Sequence, residues 1–331
     1  MAERSGVSRA TASRALNGDA RVSDDTRARV LAAAAAIGYR PNRAARSLAN
    51  GRSSILGLVM PSGQLVADPY GAEMINSVAI AASSHDQQLM LWLTHEGPDD
   101  SVDAIFRNGL VDGVIVSAPA LGDDWIEDVI DGPLPTVLIG RHPHRSDINV
   151  VDVDNAGGAR LAVTHLIERG HRRIATICGP MERTDGRSRY ESYAETLRDH
   201  GIEVDERLIA QGDYTPDSGL AAMVRLLRHE PTAVFAANDQ MALGAYEAIE
   251  VAGLRVPDDI AVVGFDGFSS RTADPPLTTV RQDLSELGGR AVELLLQTIT
   301  TPDEPPTEVI VPVELVVRSS SAGTRNEATT T

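Results

Sequence analysis

From Ser54 onward, short apolar runs alternate with longer amphipathic stretches, a pattern that restricts the chain to parallel sheet covered by helices. The runs predict strands at Ile55–Met60, Gln88–Leu93, Gly113–Val116, Thr136–Ile139, Val150–Val153, Arg173–Cys178, Leu208–Gln211, Ala233–Ala236 and Ile260–Phe265. The stretches between predict helices at Gly71–Ser84, Ser101–Asn108, Ala156–Arg169, Tyr190–His200, Pro216–Arg228, Gln240–Ala252 and Leu284–Ile299. Glu308–Arg318 alternates like a closing strand, and Ser319–Thr331 reads as a disordered tail. Nine or ten strands suit one large sheet or two smaller ones, and periodicity does not choose between them.

Residues 1–38 read differently, as short helices. Gly6 suits the positive φ that ends one helix, and Ser8 suits the N-cap of the next. Ala12, Ala15 and Leu16 then form an inward stripe, while Arg9, Ala10, Ser13 and Arg14 face outward until Asn17-Gly18 stops the helix. Two arginines separated by small residues suit a helix lying in the DNA major groove, where an arginine fork meets the O6/N7 edge of guanine. Ser23 predicts a cap for a third helix with Asp24 and Asp25 in its first turn and a core face of Val30, Leu31, Ala34 and Ile37, ended by Gly38. Residues 39–53 are a basic linker with a latent helix whose only large apolar side chain is Leu48.

Charge supports this division. The net charge of −17 argues against nucleic acid until it is located: residues 1–60 hold ten arginines against Glu3, Asp19, Asp24 and Asp25, a balance of +6, which leaves −23 on the remainder. A basic appendage on an acidic body touches phosphate only through its head. Every basic residue is arginine and none is lysine, for which a GC-rich genome is the preferred explanation. No run of 18 apolar residues is present, the N-terminus lacks the plan of a signal peptide, and a cytoplasmic protein is expected. The single cysteine, Cys178, lies in an apolar run and reads as core.

The segments GVSRATASRALNG and VSDDTRARVLAAAAAIGYRPNRAARSLANGRS resemble the helix-turn-helix headpiece and hinge helix of the lactose-repressor (LacI/GalR) family, and the resemblance continues to about Arg318. It implies an α/β architecture: a helix-turn-helix headpiece (1–38), a hinge (39–53), and a two-lobed periplasmic-binding-protein-like body of parallel sheets covered by helices (54–318), followed by the tail (319–331). The chain would cross between lobes near Val153, Gln282 and Val309. Carried over residue by residue, Ser8 and Thr11 are phosphate contacts, Arg9 and Ala10 select the operator, and Arg14 contacts a base. Asn17 and Asn42 meet the DNA backbone, and Leu48 enters the minor groove. The family's headpiece normally starts several residues earlier, so the native chain is expected to begin upstream of Met1.

Effector residues follow from polar positions after apolar runs, where ligands sit in open α/β sheets. Asp68-Pro69-Tyr70 is similar to the family's Asn-Pro-Phe segment, with Asp68 in place of the asparagine and Tyr70 as a stacking aromatic. The family pattern R-x-x-G-[FY] falls on Arg189, Ser192 and Tyr193, which gives Arg189 the effector role, able to grip hydroxyl pairs or a carboxylate. Tyr214 takes the position of a second stacking aromatic. Asn238 is expected at a strand end with its amide free, with Asp239 capping the helix that follows; Asp266 would accept two ligand hydroxyls, and Gln282 lies at a crossing. In VDVDNAGGA, Asp154 or Asn155 caps the next helix, and the glycines do not have dinucleotide-binding spacing. His165 and His171 read as structural, and His142-Pro143-His144 is too sparse for zinc.

These features together predict a repressor that dimerises through its body, with a tetramer as the alternative, and binds double-stranded operator DNA under the control of a small effector. A sugar is preferred and a nucleobase is the second choice. No catalytic residue, metal or cofactor is expected. A solute-binding protein of a sugar transporter is the rival reading; it calls for a secretion signal and no basic head.

Overall fold

The apolar runs build two six-stranded sheets. The computed structural model describes residues 1–16, 19–39, 52–61, 69–94, 109–117, 124–268 and 272–322. The predicted helix at 101–108, most of the linker and the end of the tail therefore lie outside the described residues, as do Asn17, Asn42, Leu48 and Asp68.

The first sheet holds β1 (Ile55–Pro61), β2 (Gln88–Thr94), β3 (Gly113–Ser117), β4 (Thr136–Ile139), β5 (Asn149–Val153) and β11 (Glu308–Val311), in the order β11-β5-β4-β3-β1-β2 with parallel pairing throughout. The second holds β6 (Ile174–Cys178), β7 (Ile209–Gln211), β8 (Ala233–Ala236), β9 (Ala261–Asp266), β10 (Thr278–Arg281) and β12 (Glu314–Val316), in the order β12-β10-β9-β8-β6-β7. Only its β10–β12 pairing is antiparallel. Each sheet thus repeats one winding, second strand beside first beside third, and each has strand C-termini to which ligands can dock.

Helices α4 (Pro69–Ser84), α5 (Asp124–Ile130), α6 (Asn155–Glu168), α7 (Thr184–Asp199), α8 (Pro216–Leu226), α9 (Asp239–Val251) and α10 (Leu284–Thr300) accompany the sheets. In the first lobe, Leu56, Leu58 and Met60 of β1 pack with Met74 and Val78 of α4 and with Leu287, Ala291 and Leu295 of α10. Helices α8 and α9 touch backbone to backbone: a β-carbon at Gly219 would stand 2.3 Å from the Met241 carbonyl oxygen, and one at Gly244 would stand 1.9 Å from that of Pro216.

The chain crosses from the first sheet to the second after Val153 and returns through Gln282, because α10 buries its apolar face in the first lobe. The last crossing differs from expectation. Glu308–Arg318 is not one closing strand but two, β11 in the first sheet and β12 in the second, with Pro312 and Val313 between them. Val313 packs against the cores of both lobes. The start of the expected tail is ordered. Ser319–Ser321 form a 3-10 turn with Ser320 and Ser321 buried, because Ser320 Oγ donates to the Val262 carbonyl (2.6 Å) and accepts from Thr278 N (2.8 Å). Two elements lacked a sequence signal: α5, and a strand at Thr278–Arg281. Helix α7 starts at Thr184, six residues before the expected Tyr190.

Residues 1–53 form a separate compact unit. Its described helices are α1 (Ala2–Ser5), α2 (Arg9–Leu16) and α3 (Asp24–Ala36). Gly6 takes φ 66° after α1; Ser8 Oγ accepts from Thr11 N at the start of α2, and Ser23 caps α3 in the same way. Ala12, Ala15, Val22 and Val30 make the core, with Leu16 packed at its edge. The expected core face of α3 is only half right. Val30 and Ala34 are buried, but Leu31 is 50% and Ile37 39% exposed, because the two short helices reach only the stripe that carries Val30 and Ala34.

Candidate functional site

Of the polar residues singled out in the body, Arg189, Asp266 and Gln282 converge beside the carboxyl ends of β5 and β9, at two of the crossings. Position 158 is where the site begins. A β-carbon at Gly158 would stand 2.6 Å from the Phe265 ring, so only glycine lets that ring fill the space behind α6. The Arg189 guanidinium lies 3.6 Å from the centroid of the same ring, a cation–π contact that also desolvates the charge. Arg189 is 4% exposed; its Nε donates to Asn155 Oδ1 (2.8 Å), its Nη1 donates to the Ala237 carbonyl (2.6 Å), and Nη1 stands 3.7 Å from Asp266 Oδ1. Asp266 ends β9 with φ 112°, a left-handed backbone uncommon outside glycine, and its Oδ1 accepts from Gln282 Nε2 (2.6 Å). Arg189, Asp266 and Gln282 thus form one cluster.

Asn238, not Asp239, takes the capping role, and neither side chain is left free as expected of Asn238. Asn238 caps α9 through Met241 N (2.9 Å), and its Nδ2 donates to the Tyr214 carbonyl (3.0 Å), so its amide is committed to the fold. Asp239 is buried and accepts from Thr279 Oγ1 (2.6 Å) and Gly267 N (3.0 Å), bracing the loop after β9. Of the two candidate caps for α6, Asp154 serves, through Gly157 N. Ser192, in the place of a glycine, fits by donating to the Ala156 carbonyl (2.7 Å).

Two residues that sequence reasoning missed stand beside Tyr214. Arg183 and Asp185, at the start of α7, pair through Nε–Oδ1 (3.1 Å) and Nη2–Oδ2 (2.8 Å), and the Arg183 guanidinium lies 5.2 Å from the Tyr214 centroid. Burial works to raise the Asp185 carboxyl, but the charge and hydrogen bonds of Arg183, the Arg189 charge and the Gly186 N–H together outweigh it and hold the group far below the usual range. Burial lifts the Tyr70 and Tyr214 phenols well above theirs, so both stay neutral. Tyr70 meets Phe268 edge-on at 6.2 Å. The buried Tyr214 hydroxyl has no hydrogen-bond partner among the described residues. The R-x-D spacing was the available signal, but it became informative only once Tyr214 was seen to lie under Arg183.

The remaining polar residues are structural. His165 Nε2 meets Ser321 Oγ (2.8 Å) and His171 Nδ1 meets Thr232 Oγ1 (3.1 Å), both buried. Cys178 is buried against the Ala210 carbonyl. Among the described residues no group of three or more His, Cys, Asp or Glu side chains could hold a metal, and no helix is long and apolar enough to cross a membrane.

In the first unit, Ser8 is exposed just before α2, and Arg9, Ala10, Ser13 and Arg14 are exposed on it, with Thr11 half-buried. Three other arginines there are engaged: Arg21 with Asp19, Arg27 with the Asp19 carbonyl, and Arg29 with the Ser5 carbonyl. Arg9 and Arg14 make no ion pair among the described residues, so α2 presents two uncommitted guanidinium groups on one face.

Residues 1–42 match the family model for bacterial regulatory proteins of the lacI family, and residues 163–321 match that for a periplasmic binding protein-like domain. The HTH-type transcriptional regulator CelR of Thermobifida fusca is 38% identical over 328 residues, 97% of this chain and 96% of the relative. The HTH-type transcriptional repressor PurR of Photorhabdus laumondii is 36% identical over 97% of this chain and 95% of its own length. Among solved structures, a lac repressor dimer bound to operator and the anti-inducer ONPF aligns with a TM-score of 0.83 at 31% identity, covering 97% of each chain. A CelR–cellobiose complex aligns with a TM-score of 0.77 at 37% identity, covering 96% of this chain and 98% of the other.

Proposed function

The chain belongs to the lacI family of bacterial regulatory proteins, and from that premise we propose that the Arg189 cluster is the effector site through which a small molecule controls its grip on DNA. The protein is a DNA-binding transcription regulator of the repressor type, acting as a dimer on operator DNA with a ligand-binding body. In our reading α2 is the recognition helix: Arg9 and Ala10 select the operator, Arg14 reads a base, and Ser8 and Thr11 hold phosphate. Asn17, Asn42 and Leu48 belong to the same proposed surface, and Asp68 to the effector cleft. We assign residues 1–38 to the headpiece, 39–53 to the hinge and 54–318 to the body, and we read the cleft as binding rather than catalytic.

The observation that carries the effector assignment is the buried contact between Arg189 and Asp266 at the strand ends. It also narrows the ligand. Arg183 is neutralised by Asp185, and two donors of Arg189 are already given to neutral acceptors beside Asp266. A carboxylate or phosphate would have to break a buried pair, a costly exchange, whereas hydroxyls can add to it. An uncharged polyol stacked on Tyr70 or Tyr214 suits these groups best, which puts a sugar ahead of a nucleobase.

A thermal-shift screen of the full chain against cellobiose, monosaccharides and nucleobases, paired with footprinting upstream of its own gene, tests this function. The expected result is a protected palindrome whose protection changes with one uncharged ligand. Binding of duplex DNA that responds to none of them, or no binding at modest salt, would overturn it.

A further inference from the structure

Resting on that reading of the cleft, we propose that Asn155 is the positioning residue that ties the effector site to the joints between the two lobes. Asn155 is the first residue of α6, in the second lobe, and is 3% exposed. Its Oδ1 accepts from Arg189 Nε (2.8 Å), while its Nδ2 donates to Asp152 Oδ1 (3.1 Å) and to the Val153 carbonyl (3.3 Å). Asp152 and Val153 end β5 in the first lobe, so one side-chain amide bridges the first crossing and faces the proposed effector arginine.

The other side of Arg189 leads to the second crossing. Asp266, 3.7 Å from Nη1, accepts from Gln282 Nε2 (2.6 Å), and the Asp266 carbonyl accepts from Gln282 N (3.1 Å). The third crossing is fastened to the first, because Asp154 N donates to the Val311 carbonyl (3.1 Å). A ligand that takes a hydrogen bond from Arg189 or gives one to Asp266 therefore changes the bonds held by two crossings at once. Asparagine suits position 155 because it accepts and donates together. Aspartate would set a second carboxylate against Asp152, and alanine would break all three bonds.

Hydrogen exchange of backbone amides, read by mass spectrometry on the intact ligand-free chain, tests the proposal. Asn155→Ala is expected to speed exchange about fivefold or more in both 151–158 and 281–287, since both segments lose a shared support. Acceleration confined to 151–158 would mean a purely local role and would overturn the proposal. Gln282→Ala is the reciprocal variant and keeps the test valid if Asn155→Ala does not fold. It is expected to speed exchange in 151–158, and unchanged rates there would overturn the link equally. Neither readout uses an effector, so failure of the link is distinguishable from failure of the effector assignment, which the ligand screen decides.

Discussion

The backbone of Gly179 approaches the phenol of Tyr214 so closely that a β-carbon on the glycine would stand 2.4 Å from the hydroxyl oxygen. The tyrosine cannot easily retreat. Its backbone is held at φ 71° by the bond from Asn238, and Arg183 covers its ring. Gly179→Ala is therefore expected to push the ring into the cleft, at about 1–3 kcal/mol of overpacking, and to weaken effector binding about tenfold or more. Calorimetric titration with the ligand found in the screen measures it. Unchanged affinity would remove Tyr214 from the site.

Arg14 and Arg9 are exposed on α2 while other arginines of the same unit are paired. Arg14→Ala is expected to cost about 1–3 kcal/mol on operator and to flatten discrimination between operator and scrambled duplex. Effector binding by the body should not change. Fluorescence anisotropy with both duplexes across a salt series reads it, and retained discrimination would count against α2 as the reader.

Burial pushes the Asp152 carboxyl up from 3.8 to about 6, with the nearby Asp185 charge adding to the rise, while the bond from Val153 N and the charges of Arg141 and Arg189 pull the other way. The folded chain then binds this proton more tightly than the unfolded chain. The group's stabilising contribution is full below about pH 4 and is lost as pH rises through about 6. Asp152→Asn should leave stability below pH 4 unchanged and raise it above pH 6 by up to about 3 kcal/mol. Urea titrations of variant and wild type at both pH values compare them, and an equal difference at the two pH values would refute the account.

Gly244 has no room for a side chain, because the Pro216 carbonyl of α8 lies against it. Gly244→Ala is expected to force the two helices apart and destabilise the body by about 1–3 kcal/mol or more, although alanine is the better helix former. A melting temperature at or above the wild-type value would show that α8 moves freely.

Most strands could be read from the chain because each is a continuous apolar run, and those at Thr136–Ile139 and Ala233–Ala236 have the expected bounds. What periodicity could not supply was which sheet a strand joins. Glu308–Arg318 alternates throughout, yet it is divided between two sheets by what lies beside it, β5 on one side and β10 on the other. The same holds for Asn238 and Asp239. Either side chain can cap a helix, and the choice was made by Thr279 of β10 and Gly267 of the loop after β9, which hold Asp239 from far along the chain. Arg189, Asp266 and Gln282 could be found through family motifs, whereas Arg183 and Asp185 needed the position of Tyr214.

Val313, between β11 and β12, packs against the interiors of both lobes. A swing of one lobe over the other would therefore turn about a half-buried valine that leans on two hydrophobic interiors. Such a fulcrum favours rocking over pulling apart, since separation would wet apolar surface on both sides at once.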